Sequence, residues 1–295
     1  MSETAQQQHT NEVVAGTRFE FGKNWKEYSK GIDRERVDVA VASVQDLIGL
    51  TSLKGKTFLD IGSGSGLFSL AAALLGAHVT SFDYDTDSVA CTESLRSGAD
   101  IDSKQWNVMQ GSVLDDDFMA KLGTYDIVYS WGVLHHTGDM NHALENAAAC
   151  VAAGGVFAIA LYNDQGRKSR GWTRIKRRYQ KLPPPLQRAY AVAVAAPFEA
   201  KMLLHHTLSG HPGEYKRSWT EYRNQRGMSR WHDWIDWVGG YPFEVAAADT
   251  VINRFVAEGF QLVHVTTVGG GLACNEFVFR RAAAVTTSMR PEATE

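Results

Sequence analysis

Cysteine is scarce in this chain. Three residues in 295, Cys91, Cys150 and Cys274, stand far apart, with no CxxC pair and no metal-ligand spacing. A disulfide framework and a thiolate zinc site are thereby excluded, and the sparse odd set fits reduced thiols in a cytosolic compartment. Long apolar runs are also missing. The run Ala189 to Phe198 has ten residues and includes Pro197, whereas a bilayer span needs roughly 20. The opening MSETAQQQHTNEVV lacks the basic-then-apolar order of a signal peptide. The expectation is a soluble, cytoplasmic protein that at most rests on a membrane surface. Net charge is slight, −3, beside 44% hydrophobic and 21% charged residues, the balance of an ordinary globular chain with one main core.

What is present has a rhythm. The first seventeen residues are polar and read as mobile. RFEFGKNWKEYSKGI follows, with Phe19, Phe21, Trp25 and Tyr28 set among polar residues, and from Asp33 to Leu50 the apolar positions recur at helical spacing. TFLDIG then reads as a buried strand, GLFSLAAALLGA as a helix ending at Gly76, and HVTSFDYD as a strand. TDSVACTESLRSGA is a helix with an acidic first turn, Asp85 being well placed to cap it, and WNVMQGS is strand-like. YDIVYSWGVLHH is a strand entering a loop, MNHALENAAACVAAGG a helix closed by glycine, and VFAIALYND a strand.

Strands alternating with helices predict an α/β fold, a Rossmann-like, mostly parallel seven-stranded sheet with helices on both faces. The rhythm stops at Asp164 and resumes with the helix AADTVINRFVAEGF and the strands QLVHVTTV and CNEFVFRR. The expected organisation is an N-terminal segment and helix over 1–50, a core over 51–163, and a helical, basic, Trp-rich insertion forming a lid over 164–245. The rest of the core follows over 246–283, and a flexible tail over 284–295.

The chemistry concentrates at FLDIGSGSGLFSL, Phe58 to Leu70. A strand-to-helix turn at the carboxyl edge of a parallel sheet is where ligands of this fold class bind. Glycines there allow close backbone approach, and the following helix offers free N–H groups. The dinucleotide fingerprint is GxGxxG. Here Gly62, Gly64 and Gly66 give GxGxG instead, with Asp60 two places before the first glycine.

With these residues the chain resembles the class I S-adenosylmethionine-dependent methyltransferases. FLDIGSGSG is similar to their first motif. Asp83, at the end of HVTSFDYD and seventeen residues after Gly66, matches their ribose-binding acid. VMQGSVLDD resembles the third-strand segment that meets adenine. YDIVYSWGVLHHTGDM, with its xLHHxxD ending, resembles the branch related to ubiquinone-pathway O-methyltransferases. The resemblance spans roughly Thr57–Leu161 and resumes over Asp249–Arg280.

It implies S-adenosyl-L-methionine as cofactor and S-adenosyl-L-homocysteine as product. Asp83 accepts both ribose hydroxyls, and Tyr84 lies against the adenine with Trp131 or Val113 as the opposing wall. Ser112 and Val113 read the adenine edge, with Ser112 or Asp115 near its amine. The methionine end lies beside Gly62, Ser63, Gly64 and Gly66, with Asp60 organising that loop or meeting the amine. Blander readings stand beside these: Tyr84 as a surface aromatic, Trp131 as packing, Asp115 as a turn residue.

Methyl transfer needs an in-line nucleophile, exclusion of water and, for a hydroxyl or amine, removal of a proton. Candidate bases are His135 and His136, of which one at most faces the pocket, and His232 paired with Asp233 or Asp236. In the resembling family the second histidine often ties down its loop. No carboxylate spacing supports a metal. Trp25 and Tyr28 either close the cofactor pocket or staple the first helix to the sheet. Trp231, Trp234 and Trp237 form one helical stripe that is either core or an acceptor wall.

From Asp164 to Arg230 there are 15 Lys/Arg against 4 Asp/Glu. This polarisation has four readings: a solvated face, peripheral contact with anionic lipid, docking of an anionic acceptor, and RNA binding, disfavoured because no RNA module accompanies it. The leading function is methyl transfer to a small-molecule or lipid-like acceptor, at oxygen by analogy with the resembling branch. The alternatives are a sugar, nitrogen or sulfur acceptor, a non-catalytic cofactor-binding module, and an NAD-dependent oxidoreductase.

Overall fold

The structure, a computed structural model, describes residues 4–29, 32–221, 230–271 and 273–283; the side chains of Lys26, Glu27, Tyr28 and His232 also fall outside the description. The roles considered for Tyr28 and His232, and the expected tail over 284–295, therefore concern parts not described.

The apolar runs read from the sequence become a single sheet. Its strands are β1 (Thr57–Ile61), β2 (His78–Asp83), β3 (Trp106–Gln110), β4 (Tyr125–Trp131), β5 (Val151–Tyr162), β6 (Phe260–Thr266) and β7 (Cys274–Arg281). The order is β3-β2-β1-β4-β5-β7-β6. The first five are parallel, and β7 runs antiparallel between β5 and β6. An NAD-binding sheet of the dinucleotide type has the order 3-2-1-4-5-6, without an inserted antiparallel strand.

Alternate side chains of each buried strand feed two cores. On one face Phe58, Ile127, Tyr129 and Ala158 pack against α3 (Arg34–Ile48) and α4 (Leu67–Leu74), with α5 (Thr86–Gly98) alongside. On the other, Phe82, Val128, Phe157 and Phe277 pack against α6 (Asp116–Leu122), α7 (Met140–Ala149) and a late helix, Ala248–Ala257.

Local caps set the helix starts. Asp33 accepts from the Arg36 amide at 3.0 Å and Asp85 from the Asp87 amide at 2.9 Å. Asp115, weighed as a ligand or a turn residue, accepts from the Phe118 amide at 3.0 Å and caps α6. Each such side-chain oxygen satisfies an amide that has no partner within the helix.

Two expectations are corrected. The polar start is helical: α1 (Ala5–Val14) is capped by Thr4 and buries His9. It is followed by α2 (Phe21–Ser29). Hydrogen bonds from this segment reach Asp85, His136 and Thr137, contacts no local pattern reveals. Second, VAAGG does not close α7, because β5 already begins at Val151 and pairs with Tyr125 across a register shift. At Gly155 a Cβ would lie 2.8 Å from the Ala152 carbonyl oxygen, so that irregularity requires glycine.

Between β5 and the late helix the chain forms α8 (Arg167–Gln180), α9 (Pro184–Leu208), α10 (Pro212–Thr220) and α11 (Arg230–Gly239); the late helix is α12. These helices have a small core of their own, built on Trp172, Tyr179, Ala191, Val238 and Phe243. The segment after α11 returns by hydrogen bonds to the sheet: Glu244 donates its amide to the His135 carbonyl at 2.9 Å, and Ala246 to that of Tyr162 at 2.9 Å.

Candidate active site

A cavity of about 1090 Å³ opens at the carboxyl ends of β1, β2 and β4 and continues under the insertion. Its first part is the glycine loop. The Gly62 and Ser63 amides donate to the Phe82 carbonyl at 2.8 and 3.1 Å, tying the loop to β2. Gly62 has φ 80°, and a Cβ there would come within 2.4 Å of the Val133 side chain. Gly64 has φ 54°, and a Cβ would meet the Trp25 ring at 2.9 Å. Both positions need glycine for conformation and for space. Gly66 is the N-cap of α4, and the Ser63 hydroxyl is 2.9 Å from that of Thr92.

Two acids stand behind this loop. Asp60, at the end of β1, accepts from the Ser69 hydroxyl at 2.6 Å. Burial raises its carboxyl to about 7, and the charge of Asp83 adds to the shift. Asp83 accepts from the Gly64 amide at 2.9 Å on one oxygen and from the Asp85 amide at 2.9 Å on the other. Burial pushes it up to about 6 against backbone hydrogen bonds from Asp85, Gly64 and Tyr84. Asp83 lines the cavity.

The N-terminal segment crosses over this end. The Arg18 guanidinium lies 4.8 Å from the Tyr84 ring centre and donates to the carbonyls of His136 at 3.0 Å and Thr137 at 3.1 Å. His9 meets Tyr84 edge-on at 5.1 Å. The Gly22 amide donates to Asp85 at 2.8 Å, so α2 is tied to the cap of α5. Trp25 lines the cavity over Gly64.

Of the two residues considered as adenine walls, Val113 belongs to the core on the α6–α7 face. Trp131 belongs to the other face, stacked on Tyr129 at 5.4 Å and 3°. They cannot serve interchangeably. Ser112, also on the wall, accepts from the Leu114 amide at 3.2 Å.

The two histidines after β4 separate in role. His135 is fully buried and does not line the cavity. Its Nδ1 accepts from the Tyr162 amide at 3.3 Å, its ring packs 4.0 Å from that of Tyr162, and burial holds it neutral. His136 does line the cavity. Its Nδ1 lies 2.6 Å from the Pro242 carbonyl, which can only accept, so that nitrogen carries the proton. Burial, then the charge of Lys176, lowers this histidine to about 3.

The far end of the cavity is aromatic: Trp172 of α8, Phe198 of α9, Trp234 and Trp237 of α11, with Phe68 and Trp131 from the core. Trp231 lies on the same helix but does not line the cavity. Glu199 organises this wall. It accepts from the Trp234 indole at 2.7 Å, Arg230 at 2.9 Å, Tyr215 at 3.1 Å and the Trp219 indole at 3.2 Å.

Besides Asp60, Asp83 and Asp85, three further carboxylates line the cavity: Asp233, Asp236 and Glu276. Asp236 is raised by burial to about 7, opposed by a hydrogen bond from the Asn24 amide. Beside it Lys176, wholly buried, donates to the Trp237 carbonyl and sits 4.5 Å over that ring; burial lowers it to about 7. The sequence reading had Asp236 only as a partner for His232, and had neither Glu276 nor Lys176. A single polar residue on an apolar strand or helix face was the available signal for the latter two.

The parallel core with its inserted antiparallel strand and glycine-loop cavity defines a class. A family model described as a methyltransferase domain matches residues 59–157. Among curated proteins the chain is similar to the ubiquinone biosynthesis O-methyltransferase of Marinobacter nauticus, 35% identical over 114 residues, 38% of this chain and 46% of that protein. It is similar also to the one of Bordetella avium, 34% identical over 122 residues, 41% of this chain and 47% of that protein. The chain thus spans about half the length of the curated relatives it matches. A similar solved structure is magnesium protoporphyrin IX methyltransferase from Synechocystis PCC 6803 with bound SAH, at TM-score 0.50 and 13% identity, over 88% of this chain and 94% of that one. At that identity the likeness concerns the fold alone.

Proposed function

We propose that this chain is an S-adenosylmethionine-dependent methyltransferase acting on oxygen of a small, largely apolar acceptor. The observation that carries the reading is one continuous cavity, with Asp83 and the glycine loop at one end and Asp236 among tryptophans at the other. The residues present fit the cofactor. Asp83 lines the cavity as a buried carboxylate, and such a group gains from the hydroxyl donors of a vicinal diol. Tyr84 and Val113 flank the adenine, Asp60 and the Gly62–Gly66 backbone take the amino-acid end, and Trp25 closes over Gly64. Bound there, S-adenosylmethionine supplies a methyl carbon made electrophilic by its sulfonium.

The remaining work falls to the chain's own side chains. The aromatic wall holds the acceptor and excludes water. A hydroxyl nucleophile must lose a proton, and a base is most effective when its proton affinity lies near the working pH. Asp236, at about 7, meets that condition better than His136 at about 3. We assign the proton to the Asp236 carboxylate, with the charges of Asp233 and Lys176 setting the local field. His135 and His136 then serve to fix the loop after β4.

Acids in the cavity disfavour a phosphorylated acceptor, because the cations Arg18 and Arg230 are already paired with Glu12 and Glu199. Transfer to an amine nitrogen is a second reading, favoured by the same three carboxylates beside aromatic rings. Incubation with methyl-labelled S-adenosylmethionine and cell extract, followed by product identification, tests both. An O-methyl or N-methyl product chooses between them; cofactor binding with no labelled product would defeat catalysis.

A further inference from the structure

The insertion shows two unusual surfaces. Helix α9 is 25 residues long, about 37 Å at 1.5 Å per residue. Its inner face packs Ala191 and Ala195 against the other helices. Its outer face carries Leu186, Val192, Ala196, Leu203, Leu204 and Leu208, all exposed, with Leu204 at 58% and Leu208 at 78%. At 100° per residue these fall in one stripe. Nothing among the described residues covers it.

Helix α8, joined to α9 by the turn Leu182–Pro183, turns Trp172, Lys176 and Tyr179 inward. Outward it shows Arg167, Arg170, Arg174, Arg177, Arg178 and Lys181, all exposed. The one acid between 167 and 208 is Glu199, and it is turned inward onto Trp234 and Arg230.

We infer that the α8–α9 hairpin is a docking surface for anionic lipid. A stripe of aliphatic side chains beside a row of cations without exposed acids is the make-up of a helix that lies in the membrane interface. No helix among the described residues is long and apolar enough to cross a bilayer, so the hairpin lies on the surface rather than spanning it. A second copy of the chain would bring two cationic rows together, and self-association is disfavoured by that repulsion. The α9 side chains Phe198 and Met202 line the cavity, so the docked helix also borders the proposed acceptor end. The docking itself is independent of the methyl-transfer reading.

The test is co-sedimentation of the full chain with vesicles of phosphatidylcholine alone and of phosphatidylcholine with one-quarter phosphatidylglycerol. Binding is expected on the anionic vesicles only, and should fall steeply as salt rises past about 0.1 M. Arg174→Glu with Arg178→Glu is expected to weaken it on the order of tenfold or more, and Leu204→Asp to weaken it at every salt concentration. Circular dichroism and S-adenosylmethionine calorimetry report whether each variant is folded, and the wild-type salt series needs no variant. Equal binding to both vesicles, or none to either, overturns the inference. So does a light-scattering dimer that Leu204→Asp dissociates in the absence of vesicle binding.

Discussion

The side-chain amide of Asn24 on α2 donates to the carboxylate of Asp236 on α11, across 212 positions of sequence. The two segments outside the core thus meet at the group to which we assign the acceptor's proton. That hydrogen bond favours the ionised form and works against burial, which holds Asp236 at about 7. Asn24→Ala is therefore expected to move the Asp236 titration further up. A carboxyl-carbon NMR titration of selectively labelled protein reads this without any acceptor, and an unmoved midpoint refutes the coupling.

The same carboxyl links pH to stability. Its folded value, about 7, lies above the 3.8 of an ordinary aspartate, so between those limits the folded chain holds more protons than the unfolded one. Its contribution to stability is complete below pH 3.8 and is lost as pH rises through about 7. Asp236→Asn should accordingly gain stability relative to the wild type over that window, by on the order of a few kcal/mol. Urea melts at both ends of the window check it. A difference that does not change with pH removes the assignment.

Asp83 gives a prediction on the cofactor side. Asp83→Ala should weaken S-adenosylmethionine by about 1.5–3 kcal/mol, the worth of hydrogen bonds to a charged acceptor. Because burial raises this carboxyl to about 6 in the free chain, wild-type affinity should also decline as pH falls below that value, by up to about tenfold per unit. Calorimetry at several pH values measures both effects. Undiminished binding by the alanine variant would show that the diol lies elsewhere.

Much of this site is local in sequence and was legible there. The strand, the three glycines, Asp83 and the Asp85 cap lie within about one βαβ unit of each other, where turn chemistry and periodicity suffice. The mostly parallel seven-stranded sheet followed from strand–helix alternation and the family resemblance; its strand order did not. What escaped depends on contacts between distant segments. Helix α1 reads as a polar tail until His9 is seen against Tyr84 and Arg18 against Thr137. VAAGG reads as a helix end until Val151 pairs with Tyr125. Asp236 looks like any acid beside a tryptophan stripe, because its burial is imposed by α2 and α8 rather than by its neighbours in sequence.

Glu199 shows how far the aromatic wall depends on one such residue. Its carboxylate accepts from two indoles, a phenol and the guanidinium of Arg230, which is itself buried. Removing one partner of a buried ion pair leaves the other charged and unmatched, a loss of about 3–5 kcal/mol. Glu199→Ala should therefore loosen the insertion while leaving the parallel core intact, since no element of the sheet touches this carboxylate through those bonds. Hydrogen exchange is expected to accelerate in α9 and α11 but not in β1, β4 or β5, with S-adenosylmethionine binding kept. Glu199→Gln, which retains two acceptor lone pairs, should lie between the two. If exchange rises equally in the core strands, the insertion is not a separately stabilised unit, and Glu199 belongs to the cohesion of the whole fold.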